Sequence, residues 1–150
     1  MREQYYAYNN EAIASSVLLF FLQKTNGVNM ARLSVVIPFL LDDRTISALQ
    51  KHEAKNCTLD SFVNDNKRVF ATFNRRYLAL LPVFINALTV LNELQLIEVV
   101  QNSIKLKREI DRTVDMGSRF NTICMAIDRF SNLIKNIEDV ELFKILNIQL

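Results

Sequence analysis

Apolar residues recur along most of the chain at three- and four-residue steps, the spacing that lines side chains along one face of an α-helix. Asn9 and Asn10 stand where a helix cap belongs, Glu11 follows in the first turn, and Ala12 to Gln23 is apolar on nearly every face. Such a helix belongs in an interior or an interface. Asn26-Gly27 breaks it, because both residues tolerate positive φ. Leu33 to Leu41 is a second apolar run, interrupted by Pro38, which removes a backbone donor and disfavours helical geometry at Ile37. It is expected to be a short buried segment of open type. Asp42-Asp43 starts a helix through Gln50, and Thr58 or Asp60 caps another that begins near Leu59.

From Lys67 to Leu81 the positions Val69, Phe70, Phe73, Tyr77, Leu78 and Leu81 share one helical face, expected to point inward. Pro82 suits the first turn of a fresh helix, on which Val83, Ala87, Leu88, Leu91 and Leu94 continue the stripe, so two helices should meet there. The period then changes. Ile97 to Val100, a turn at Gln101-Asn102-Ser103, and Ile104 to Lys107 predict a β-hairpin. Gly117-Ser118 opens a helix carrying Phe120, Ile123, Ile127, Phe130 and Ile134, and Asp139 starts a last short helix through Leu146. The expected fold is mostly α: one helical domain over residues 1–150, with a winged-helix-like unit, a small β-hairpin wing, and N- and C-terminal helical extensions.

Composition supports a chain folded nearly end to end, since half of its 150 residues are apolar and it holds two Gly and two Pro. The longest apolar runs, Val17 to Leu22 and Val35 to Leu41, fall well short of the roughly 20 residues of a membrane span. Met1-Arg2-Glu3-Gln4, followed by Tyr5, Tyr6 and Tyr8, lacks the pattern of a secretory signal, so a cytoplasmic protein without membrane contact is expected. In that compartment Cys57 and Cys124 should be buried thiols.

Catalytic chemistry is hard to assemble from these residues. His52 is the one histidine, and the two cysteines lack zinc-ligand spacing, so no metal is expected. Pairing of Cys57 with His52 would place a nucleophile in the polar stretch from Lys51 to Cys57, which suits a surface loop better. Two glycines cannot build a phosphate-cradling loop or a dinucleotide fingerprint, and the carboxylates sit where helix starts want negative charge. The chain is therefore expected not to be an enzyme and to take no cofactor.

Binding is the remaining class. A net charge of +2 is uninformative, so the distribution of cations matters more than their sum. Lys67, Arg68, Arg75 and Arg76 gather on one helix, and Lys105, Lys107, Arg108 and Arg112 on and after the wing. Arg75, Arg76, Lys105, Lys107 and Arg108 are the candidates for contact with a phosphate backbone. The helix in the recognition position has no Lys or Arg between Pro82 and Leu96, and its polar face presents Asn86, Thr89 and Glu93. Base reading by this helix is not expected, because Glu93 would repel phosphates. Protein partners are expected instead, on the apolar residues Ile13, Val17, Phe20 and Phe21 of the first helix and Phe130, Leu142 and Leu146 near the end.

Several of these segments carry a family resemblance. Asn9-Asn10-Glu11-Ala12 with its apolar helix to Phe21, Leu33-Ser34-Val35-Val36-Ile37-Pro38-Phe39-Leu40-Leu41 leading into Asp43-Arg44-Thr45, Phe73-Asn74-Arg75-Arg76, the helix after Pro82, and Phe130 to Ile148 occur in one order. In that order the chain resembles the middle component of bacterial three-component ABC systems, the small partner of an SMC-like ATPase in Lamassu-type defence. The resemblance implies a non-catalytic accessory subunit of an antiphage or anti-plasmid complex. It would bind the SMC-like ATPase and an effector subunit such as a nuclease, with DNA reached through the complex. The rival reading of the same residues is a stand-alone winged-helix DNA-binding regulator.

Overall fold

The computed structural model describes residues 11–51, 57–111 and 115–150. Among them the chain forms α1 (Glu11–Gln23), β1 (Val28–Asn29), α2 (Met30–Leu40), α3 (Asp43–Lys51), α4 (Leu59–Asp65), α5 (Lys67–Phe70), α6 (Phe73–Glu93), β2 (Ile97–Val100), β3 (Ser103–Leu106), α7 (Ser118–Ile134) and α8 (Asp139–Ile145). The fold is mostly α, as the periodicity predicts, and it carries a small three-stranded antiparallel sheet. The expected caps at Asn9 and Asn10 and the expected loop around His52 lie outside the described residues.

Helices α1 and α2 are apolar almost all round, and each is packed against α6, while α1 also meets α2 and α7. Burial on every side explains why Leu33 to Leu41 needs no polar face. Phe39 sits at the centre of a ring cluster. Its centroid lies 4.3 Å from Phe130, 5.6 Å from Phe70, 6.2 Å from Phe73 and 6.3 Å from Phe62, so one side chain of α2 ties α4, α5, α6 and α7 together.

Two expectations about proline are corrected. Leu33 to Leu40 is helical, with Pro38 inside α2, and the two helices expected to meet at Pro82 are one continuous helix. A proline inside a helix forfeits one hydrogen bond and crowds the carbonyl four residues back, a cost of about 3 kcal/mol. Packing along α6 offsets it: Phe73, Tyr77, Leu80, Phe84, Ala87 and Leu91 are all buried, on both sides of Pro82. Pro82 and Leu78 are on the exposed side, where water can reach the carbonyl that lacks its donor. The expected face from Lys67 to Leu81 also divides, because the chain turns at Ala71-Thr72 between α5 and α6, which leaves Leu78 pointing outward.

The capping expectations agree with the structure. The Asp42 carboxylate accepts the backbone N–H of Thr45 at 3.0 Å ahead of α3, and Thr58 forms a capping box with Ser61 ahead of α4. In the hairpin, Val100 pairs with Ser103, leaving Gln101 and Asn102 as the turn, with Gln101 at φ 58°. The unforeseen strand is β1. Its two residues pair with Ser103 and Ile104, giving the sheet order β1-β3-β2.

Gly27 makes that third pairing possible. It has φ 108°, and a Cβ there would lie 2.7 Å from Ser103 Oγ and 2.8 Å from Lys105 Cε. Gly27→Ala is expected to lose about 1–3 kcal/mol of stability, read as a lower urea midpoint, because the new side chain meets both backbone strain and β3. An unchanged midpoint would mean that the Ser103 and Lys105 side chains move aside and that the positive φ costs nothing.

Long-range polar contacts fasten the C-terminal helices. The Arg32 guanidinium on α2 donates to Ile134 O at 2.6 Å and to Ile137 O, and its Nε lies 2.8 Å from Asp139 Oδ1. One cation thus satisfies carbonyls at the end of α7 and a carboxylate in the first turn of α8. Arg129 caps α3 in the same manner, donating to Leu49 O at 2.6 Å and Gln50 O at 3.1 Å.

Candidate interaction surface

The residues proposed from sequence to meet a protein partner are used by the fold itself. Val17, Phe20, Phe21, Phe130, Leu142 and Leu146 are buried in the core of this chain, and Ile13 is half-buried against it. Phe21 packs its ring 5.8 Å from Phe130, and Phe20 lies 5.3 Å from Phe120. An apolar face reads the same in sequence whether its cover comes from the chain or from a partner, so the expectation of exposed faces here is corrected.

The phosphate candidates separate into two groups. Arg75, Lys105, Lys107 and Arg108 are exposed. Lys107 Nζ donates to Gln95 Oε1 at 2.6 Å, which holds the hairpin against the end of α6. Arg76 is 8% exposed and is not a surface cation. Its Nε faces Asp42 Oδ2 at 3.4 Å and Pro38 O at 3.4 Å, and NH1 donates to Val69 O and Thr72 Oγ1, each at 3.0 Å. The guanidinium also lies 5.2 Å from the Phe73 ring centroid. Adjacent arginines on a helix point about 100° apart, so one faces solvent and the other the core.

Asp42 is the counterpart that sequence reasoning assigned only to capping. It is 6% exposed and also takes a hydrogen bond from Arg44 at 3.0 Å. Burial pushes its carboxyl up, but the Arg44 hydrogen bond, the Arg76 charge and the Thr45 amide together hold it below the ordinary value of 3.8. The group is a buried anion bridging α2, α3 and α6, with structural partners on each side. Cys57 and Cys124, expected to be buried thiols, are half-buried instead.

Apolar exposure occurs where the periodicity did not place it. Leu78, Ile85, Val90 and Leu94 on or just after α6, Val99 and Val100 on β2, and Val140 on α8 all stand in solvent, Ile85 at 55% and Val140 at 70%. The signal for α6 was present in the sequence: Leu78 and Ile85 are seven residues apart and out of phase with the buried stripe. Asn86, Thr89 and Glu93 are exposed on α6, as expected. Beside α8 lies an open cleft of about 550 Å³ lined by Ala31, Asp139, Val140, Phe143, Lys144 and Ile148 among others.

Among the described residues no group of three or more His, Cys, Asp or Glu side chains could hold a metal ion, and no helix is long and apolar enough to cross a membrane. What the structure defines is a small, mostly helical domain whose distinctive surface consists of an exposed helix face, a hairpin and a C-terminal cleft. The chain belongs to the family described as ABC-three component (ABC-3C) system Middle Component 3, whose family model matches residues 5–150. No curated protein and no solved structure matches the chain.

Proposed function

We propose that this middle component is a non-catalytic accessory subunit that binds an SMC-like ABC ATPase, and with it an effector such as a nuclease, in a cytoplasmic bacterial defence complex directed at phage or plasmid DNA. The observation that carries this reading is the family match over residues 5–150, since a middle component has its role among the other components of its system. The architecture is compatible with a docking module. With α3 to α5 inserted between α2 and α6, the elements α1, β1, α2, α6, β2 and β3, in sheet order β1-β3-β2, support reading a winged-helix unit with β2–β3 as its wing. The long helix of that unit exposes one cation, Arg75, which favours a protein surface over a base-reading one. For the ATPase this leaves the hairpin, where Val99 and Val100 are exposed near Lys105, and the cleft beside α8.

Co-expression of the tagged chain with the other components of its system tests the reading. The expected result is stoichiometric co-elution of the ATPase, lost when Val99 and Val100 are both changed to Asp or when Val140 is changed to Asp. Elution of this chain alone at every salt concentration would overturn it. The stand-alone DNA regulator draws on the exposed Lys105, Lys107 and Arg108, and makes an opposite prediction. Under it the isolated chain binds duplex DNA with a steep salt dependence, and changing all three residues to Glu abolishes binding.

A further inference from the structure

We propose that the outer face of α6 is a self-complementary contact through which two copies of this chain pair, their α6 helices antiparallel about a two-fold axis. The helix is 21 residues long, about 31 Å at 1.5 Å per residue. Its outward side carries Leu78, Pro82, Ile85 and Thr89 at three- and four-residue steps, with Leu78 at 45% and Ile85 at 55% exposure. No charged residue interrupts that stripe. The exposed charges of the helix are Arg75 at its start and Glu93 at its end, separated by about five turns and so on one line along the helix.

This placement is opposite to what the helix itself favours. Cations stabilise a helix at its C-terminus and anions at its N-terminus, whereas here Arg75 occupies the first turn and Glu93 the last residue. Neither enters an ion pair among the described residues. Antiparallel pairing centred near Phe84 resolves both observations. It lays Leu78 of one copy near Thr89 of the other, brings Ile85 against the second copy's Pro82 region, and sets each Arg75 beside the opposite Glu93. Residue i meeting j while j meets i is the signature of a two-fold contact, and one helix carrying a cation and an anion at its two ends is complementary to its own reverse. The proposal does not depend on the ATPase reading.

Sedimentation velocity on the purified full chain, from about 1 to about 200 µM, reads the association of a contact this size. The wild type is expected to dimerise reversibly. Arg75→Glu and Glu93→Arg should each weaken the dimer about tenfold, since each turns two symmetric attractions into repulsions, and the double variant should return to within about threefold of wild type. Ile85→Glu should leave a monomer with an unchanged circular dichroism melt, because Ile85 is on the surface. A wild type that stays monomeric throughout, or a dimer indifferent to both charge reversals, overturns the proposal. So does a monomer in which Ile85→Glu removes the other components on co-purification, which would give this face to a different protein.

Discussion

Truncating Phe39 to alanine is expected to remove about 3–5 kcal/mol of folding stability, the range for deleting a buried aromatic ring. The magnitude follows from its position. Phe39 is fully buried, and its ring is within 6.3 Å of four others contributed by four different helices. The vacated space cannot close without moving several elements, and the loss is a large part of the 5–15 kcal/mol typical of a whole domain. Urea denaturation followed by circular dichroism measures it. Phe39→Leu, which keeps much of the volume, should cost less than half as much. A loss below about 1 kcal/mol for the alanine variant would show that the cluster is loosely packed.

Asp42→Ala is the second large effect, also expected at about 3–5 kcal/mol, the cost of removing one partner from a buried ion pair. Arg76 would retain its hydrogen bonds to Val69 O and Thr72 Oγ1 but lose its carboxylate, and α3 would lose the side chain that accepts the Thr45 N–H. The pH dependence separates charge from shape. The Asp42 carboxyl is held below 3.8 in the folded chain, so the unfolded chain binds the proton more readily. Its stabilisation is complete above the unfolded value of about 3.9 and is lost as pH falls through the folded one. Wild type should therefore lose part of its stability below about pH 4, while Asp42→Asn, with a side chain that can still cap but not ionise, should show a flatter profile there. Parallel profiles would mean that the carboxylate gains nothing from Arg44 and Arg76.

Both side chains show where sequence reasoning stopped. Phe39 falls in an apolar run, but Pro38 beside it leaves the type of segment open, because proline's local cost is visible in the sequence and the packing that offsets it is not. By the usual roles of their residue types, Arg76 is a surface cation and Asp42 a cap. Their pairing brings together positions far apart in the chain, which no local pattern encodes. The outer face of α6 is legible in part: Glu93 falls on a polar face with Asn86 and Thr89, but a single helix from Lys67 to Leu81 would turn Leu78 inward.

Legible in the sequence is what depends on neighbours within a turn or two: the periodic stripe of α7, a hairpin beginning at Ile97, the caps at Asp42 and Thr58, and the start of α8 at Asp139. Helical and strand periodicity and capping are local hydrogen-bonding and steric effects, so a short stretch of chain contains them. Tertiary structure alone decided which surface covers each apolar face. It closed Val17, Phe20, Phe21, Phe130, Leu142 and Leu146 inside the molecule, kept α6 continuous through Pro82, turned Arg76 inward beside Arg75, and formed β1 from two residues paired with a strand far along the chain. Burial is a property of what lies opposite, and what lies opposite is set by the folded chain as a whole.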